Sequence, residues 1–131
     1  KVGRMPGAEK QILVVEDDVE LCNSILTSLH LKKYKCIGVT EVREASLRLK
    51  NQKFDAILLD MRLGSGDSGE ELITFVRERK GSMNVNTPII VISGFLDKPL
   101  VQKIAPFIQG ALVKPFEMAA LLEAIKKQTG E

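Results

Sequence analysis

Residues 54–60 read Phe54-Asp55-Ala56-Ile57-Leu58-Leu59-Asp60, a run that after Asp55 is continuously apolar until the carboxylate of Asp60 closes it. A strand with one wet face alternates apolar and polar residues, whereas a short continuous run is apolar on both faces and suits a parallel sheet covered by helices. Phe54–Leu59 has four companions of the same kind, Ile12–Val15, Cys36–Val39, Pro88–Ile92 and Ala111–Val113. Between them lie stretches with helical spacing. Leu21, Ile25 and Leu29 with Cys22 and Leu26 form one stripe, led by Asp18 as a cap; Ala45, Leu47 and Leu49 follow Thr40; Leu72, Ile73 and Val76 mark a third helix, and Leu121, Leu122 and Ile125 the last. Strand and helix alternate five times. That alternation predicts an α/β fold, a doubly wound five-stranded parallel sheet with right-handed crossovers. The fourth helix is expected to be short, because Pro99 suits a first turn while Pro106 lacks an amide hydrogen and should stop or kink the helix near Ala105.

The chain of 131 residues has the length of one domain, with 44% hydrophobic and 27% charged residues, a composition ordinary for a globular protein. No apolar run reaches membrane-spanning length. The net charge of +2 is spread along the sequence and offers no electrostatic footprint for nucleic acid or anionic lipid, so neither is expected as a partner. Residues 1–9 are polar, with Gly3, Pro6 and Gly7, and read as a flexible lead-in rather than a secretory signal; Met5 is a candidate native start. Residues 10–131 read as the folded domain. Cys22 and Cys36 form no paired motif and have no histidine nearby, which points to reduced, buried thiols in a cytoplasmic protein.

Polar residues gather where the predicted strands end: Glu16 and Asp17 after the first, Asp60 at the third, Ser93 at the fourth and Lys114 at the fifth. Open α/β sheets bind ligands outside the carboxyl ends of their strands, near the point where strand order reverses. If the order is 2-1-3-4-5, the first and third strands are neighbours and Glu16, Asp17 and Asp60 converge. Three clustered carboxylates repel one another unless something compensates. Magnesium would do so, since it takes oxygen ligands, keeps water, and is commonly held by one or two carboxylates plus phosphate oxygens.

Four motifs in order, Ile12-Leu13-Val14-Val15-Glu16-Asp17-Asp18, Ile57-Leu58-Leu59-Asp60-Met61, Pro88-Ile89-Ile90-Val91-Ile92-Ser93-Gly94 and Lys114-Pro115-Phe116, resemble the response-regulator receiver family of two-component signalling. The resemblance covers roughly residues 10 to 128, making 10–131 a receiver domain, and implies a flavodoxin-like sheet of order 2-1-3-4-5. It implies Asp60 as phosphoacceptor, Asp17 as a direct magnesium ligand, Glu16 as a ligand acting through water and the Arg62 carbonyl as a further ligand. Ser93 and Lys114 would hold the phosphoryl oxygens. The donor would be a sensor histidine kinase or a histidine phosphotransfer protein, since the single histidine, His30, lies in the last turn of a helix. The chemistry asks for the same residue types: a carboxylate nucleophile needs cations to offset the charge on the transferring group, and a hydroxyl can donate to it. Such a chain is a self-phosphorylating and self-dephosphorylating switch more than a turnover enzyme.

Two departures from the family pattern touch the output. Gly64 stands where proline is usual, in a loop to Gly69 about one residue longer than the family's, and Ala111 stands three before the lysine, where a Tyr or Phe is common. Alanine cannot make the inward turn attributed to that aromatic, so a phosphorylation-independent interaction module is the alternative reading. Gly64-Ser65-Gly66-Asp67-Ser68-Gly69 has the spacing of a dinucleotide-binding fingerprint, but the next strand ends in Ser93 and not in an acidic residue to hold a ribose. Gly66-Asp67-Ser68-Gly69 matches a serine-protease nucleophile motif, yet one helical histidine leaves no triad.

Overall fold

The computed structural model describes residues 10–62 and 69–130. Five strands, β1 (Gln11–Val15), β2 (Lys35–Val39), β3 (Ala56–Asp60), β4 (Ile89–Ser93) and β5 (Gly110–Val113), form one parallel sheet in the order β2-β1-β3-β4-β5. Five helices connect or follow them: α1 (Val19–Leu31), α2 (Val42–Asn51), α3 (Gly69–Glu78), α4 (Lys98–Ile104) and α5 (Met118–Thr129). The expected doubly wound flavodoxin-like fold is therefore present, and the reversal of strand order falls between β1 and β3.

Alternation along each central strand divides the core into two layers. Leu13, Val15, Ile57, Leu59 and Val91 pack with Ala45 and Leu49 of α2, Leu72 and Val76 of α3, and Ile104 of α4. On the opposite face Ile12, Val14, Leu58, Ile90 and Ile92 pack with Cys22, Ile25 and Leu29 of α1 and with Leu121 and Ile125 of α5. Every residue of β3 and β4 is buried. Each fully buried aliphatic side chain contributes about 1.5–3 kcal/mol, so these central strands form the rigid floor on which the sheet's carboxyl edge is carried.

The edge strands depart from the expected two-sided burial. In β2 only Val39 is buried, and in β5 Ala111 and Val113 are exposed. Each edge strand has a neighbour on one side only, and α4, seven residues long, is too short to cover β5. Asp97 caps that helix by accepting from Leu100 N at 2.9 Å, Pro99 lies in its first turn, and a 3-10 turn, Ala105–Phe107, replaces the helix where Pro106 enters. Leu47 of α2 also points outward and is exposed, because it lies two residues from both Ala45 and Leu49, nearly half a helical turn off their face. Cys36 is half-buried, as an edge strand allows, and Cys22 is buried; both thiols are free and pushed up by burial, Cys36 to about 11. No helix among the described residues is long and apolar enough to cross a membrane.

The amino edge of the sheet is tied by a polar network. Asn84, fully buried, accepts from Phe54 N at 2.8 Å and Thr87 Oγ1 at 2.9 Å and donates to Leu49 O and Gln52 O, both at 2.8 Å. Phe54 thus stands before β3, fully buried, and not within it as the apolar run suggests.

Candidate functional site

The sheet register builds the site. Val15 pairs with Leu59, Asp60 with Ile92, and Ser93 with Val113. The residues that follow Val15 and Val113, Glu16 and Lys114, therefore emerge at the same carboxyl edge as Asp60 and Ser93. Main-chain bonds fix both exits, Glu16 N to Val39 O at 3.0 Å and Lys114 N to Ser93 O at 2.7 Å. Asp18, the N-cap of α1, accepts from Leu21 N at 3.1 Å and so turns the chain away immediately after Glu16-Asp17.

Carboxylate oxygens of Glu16, Asp17 and Asp60 lie within 4.8 Å of one another. Into this cluster reaches Lys114, whose Nζ donates to Asp60 Oδ2 at 3.1 Å and stands 3.0 Å from Glu16 Oε1. Glu16 is fully buried, and burial is the main reason its carboxyl is pushed up to about 7; the Asp18 amide and Lys114 pull it down, and nearby Asp60 pushes it further up. Burial draws the Lys114 ammonium down, but the close carboxylate oxygens of Glu16 and Asp60 and their charges outweigh it, and its pKa is raised.

Glu16 Oε2 accepts from Asp18 N at 3.1 Å, whereas Oε1 has no hydrogen-bond donor, the one such buried side-chain oxygen or nitrogen among the described residues. The 3.0 Å approach of Lys114 pairs charge with charge without a hydrogen bond's direction. An orphaned buried carboxylate oxygen beside two further carboxylates is a hard, oxygen-only donor set in need of positive charge, and it fits a divalent cation.

Comparison with known proteins agrees with this geometry. The family profile for the response regulator receiver domain matches residues 12–126. The chain belongs to that family. Its sequence is 31% identical over 117 residues to the swarming motility regulation protein RssB of Serratia marcescens, covering 88% of this chain and 51% of that protein. The chain thus spans about half the length of that relative. Among solved structures, the receiver domain of sensor histidine kinase PA1611 from Pseudomonas aeruginosa, with magnesium coordinated in its active-site cleft, is 25% identical with a TM-score of 0.78, covering 95% of this chain and 100% of that one. A CheY-like receiver protein from Methanospirillum hungatei shares the fold at a TM-score of 0.82 and 23% identity, over 94% and 95% of the two chains.

Within this receiver domain Glu16, Asp17, Asp60 and Lys114 come together as the sequence suggested, but Ser93 is engaged elsewhere. Its hydroxyl donates to Phe95 O at 2.9 Å and accepts from Phe95 N at 3.2 Å, closing the turn after β4. Arg62 has an exposed side chain and donates its amide to Asp60 Oδ1 at 3.0 Å, orienting that carboxylate. His30 is exposed in the last turn of α1, which runs back from the carboxyl edge and so ends at the far side of the sheet. The Lys114–Pro115 peptide is cis. Gly64 and most of the glycine-rich motif lie outside the described residues; Gly69 is buried at the start of α3.

The ion pair between Glu16 and Lys114 escaped the sequence reading. β1 and β5 are separated by two strands, and only the length of a lysine bridges that gap. The close packing of Gly69 against the Asp60–Met61 backbone was also missed, because one glycine among several gives no signal of contact distance.

Proposed function

We propose that the chain is a magnesium-dependent phosphoryl switch in which Asp60 accepts a phosphoryl group from the histidine of a partner sensor kinase or phosphotransfer protein in the cytoplasm. The observation that carries this reading is the position of Lys114 Nζ, in reach of both Asp60 Oδ2 and Glu16 Oε1 at the mouth of a three-carboxylate cluster. The magnesium in the cleft of the Pseudomonas aeruginosa receiver supports the choice of metal. Asp17 and Asp60 would hold the ion directly, Glu16 through water, and the Arg62 carbonyl would complete the protein ligands. Bound there, magnesium supplies positive charge to the transferring phosphoryl oxygens.

The chain's own residues do the rest. Asp60 presents a carboxylate whose Oδ1 is fixed by the Arg62 amide and whose Oδ2 is held by Lys114. One of its oxygens forms a bond to phosphorus as the phosphorus–nitrogen bond to the donor imidazole breaks, and the bonding pair returns to the ring nitrogen. Lys114 then follows the charge from the carboxylate to a phosphoryl oxygen. Ser93 exchanges Phe95 O for another phosphoryl oxygen, which frees the turn leading to α4. Hydrolysis of the acyl phosphate returns Asp60 to its starting state.

A second reading, an interaction module that keeps the pocket and signals without phosphate, draws on Ala111: it is exposed on β5 and leaves no aromatic there to turn inward. Intact-protein mass spectrometry after incubation with a small phosphodonor and magnesium separates the two. One added phosphoryl group, abolished in Asp60→Asn, is the expected result; no adduct on the wild type would favour the interaction module.

A further inference from the structure

Among the described residues two glycines are packed so tightly that a Cβ would come within 3.0 Å of a neighbour. At Gly38 it would lie 2.7 Å from Cys22 Sγ and 3.0 Å from Leu26 Cδ1, both side-chain atoms of α1. At Gly69 it would lie 2.9 Å from Met61 Sδ, 3.0 Å from Met61 Cα and 3.1 Å from Asp60 O. The difference is in what can move. At Gly38 a leucine methyl swings aside and a thiol can turn about its single side-chain bond, but at Gly69 Met61 Cα and Asp60 O are the main chain of the turn that carries the Asp60 carboxylate.

That turn is held from several directions. Gly69 N donates to Met61 O at 3.0 Å, Met61 N donates to Ile92 O at 3.1 Å, and Arg62 N donates to Asp60 Oδ1 at 3.0 Å. The φ of Gly69 is not in the left-handed region, so its backbone conformation does not demand glycine. Alanine is also the better helix former, so α3 taken alone would gain from a methyl group there. What remains is space. Glu70, the next residue, pairs with Lys103 of α4 at 2.7 Å, an ion pair exposed on the lysine side that links the first turn of α3 to α4. A methyl group at 69 must lift that turn or displace the main chain of Asp60 and Met61.

We propose that Gly69 is a positioning residue for Asp60: it lets α3 close onto the Asp60–Met61 backbone and thereby sets where the carboxylate stands relative to Asp17 and Lys114. The inference rests on the reading of the site as a magnesium-dependent switch.

The test compares Gly69→Ala with Gly38→Ala, the other tight glycine, by magnesium titration at constant ionic strength where circular dichroism finds each variant folded. Gly69→Ala should weaken magnesium binding by about ten-fold, the range seen when a ligand's supporting contacts are lost, while Gly38→Ala stays within about two-fold of the wild type whatever stability it loses. Unchanged affinity in Gly69→Ala overturns the proposal. Equal losses in both variants also overturn it, since the effect would then be general loosening. If the wild type binds no magnesium, the functional reading fails and metal-free spectra decide on Gly69: Gly69→Ala, and not Gly38→Ala, must shift the Asp60 and Lys114 signals. If Gly69→Ala does not fold, amide exchange of the wild type takes its place. Exchange at Gly69 should slow on adding magnesium and exchange at Gly38 should not; an unchanged Gly69 amide overturns the proposal.

Discussion

The Ser93 hydroxyl holds Phe95 at both main-chain atoms, donating to its carbonyl at 2.9 Å and accepting from its amide at 3.2 Å. One side chain thus closes the turn between β4 and the Asp97 cap of α4, and the same hydroxyl is the one assigned to a phosphoryl oxygen. The hydroxyl has one proton to donate, so its bond to Phe95 O and a bond to a phosphoryl oxygen exclude each other, while it can still accept from the Phe95 amide.

Ser93→Ala should therefore free the turn without phosphate. Loss of two hydrogen bonds at a buried site is expected to cost on the order of 1–2 kcal/mol, partly recovered as water reaches the Phe95 amide. In amide-exchange measurements the amides of Phe95, Leu96, Asp97, Lys98 and Leu100 of the variant should exchange faster and respond less to beryllium fluoride with magnesium, an acyl-phosphate mimic. If the variant's α4 responds as fully as the wild type's, Ser93 is not the link between Asp60 and that helix.

Glu16 gives the domain a pH dependence whose sign follows from burial. Its carboxyl is raised from 4.5 to about 7 in the folded chain, so the folded state holds this proton more tightly than the unfolded one. The associated stability is fully present below pH 4.5 and is lost as pH rises through about 7. At about 1.4 kcal/mol per pKa unit the ceiling is roughly 3 kcal/mol. Asp60 and Lys114 face Glu16, with Asp17 in the same cluster. The Lys114 ammonium, raised above its usual range, stays charged throughout this window. Urea unfolding without metal should find the wild type losing stability between pH 5 and 8 relative to Glu16→Gln, which cannot titrate. Magnesium affinity should move the other way and weaken below about pH 7, because the proton competes for the carboxylate. A parallel pH dependence in Glu16→Gln would assign the effect to another group.

Asn84→Ala separates stability from function. The substitution strips partners from Phe54 N, Leu49 O and Gln52 O in one step, and buried groups left unsatisfied cost about 1–3 kcal/mol each unless water enters. A loss of about 2–4 kcal/mol in urea unfolding is expected. Because these bonds lie at the amino edge of the sheet, magnesium affinity of the folded variant should be unchanged. A matching loss of metal binding would mean that the two edges are coupled.

What the sequence disclosed follows from how local each signal is. Continuous apolar runs gave the central strands, and Asp18, Pro99 and Pro106 gave helix boundaries, because caps and prolines act on their own neighbours. The gathering of Glu16, Asp17, Asp60 and Lys114 was legible once each was placed at a strand end and the strand order was inferred. Side-chain geometry was not. That Ser93 turns to Phe95, that Lys114 meets Glu16, and that Gly69 touches the Asp60 main chain depend on distances between elements far apart in sequence. The exposure of Ala111 and Val113 depends likewise on the length of α4, a feature of a different segment.

The lifetime of the phosphorylated state tests the site from the solvent side. Water must approach in line with the bond to Asp60, and by the resemblance to other receivers the side chains two beyond Asp60 and two beyond Ser93 influence that approach; here they are Arg62 and Phe95. Neither offers a carboxylate or amide to orient the attacking water. Both are exposed, Phe95 by 63%, so the ring screens the approach only in part, and the missing water-orienting group is the larger effect. The phosphoryl group should therefore persist longer than in receivers with small polar residues at both places. Phe95→Glu and Arg62→Asn, alone and together, should speed loss of the adduct followed by mass spectrometry, by a few-fold for each change, which is roughly 1 kcal/mol in barrier. The double variant should be the fastest, since the two residues follow different strands, Arg62 after β3 and Phe95 after β4. If neither change accelerates hydrolysis, water reaches Asp60 by another route and these two positions do not set the lifetime.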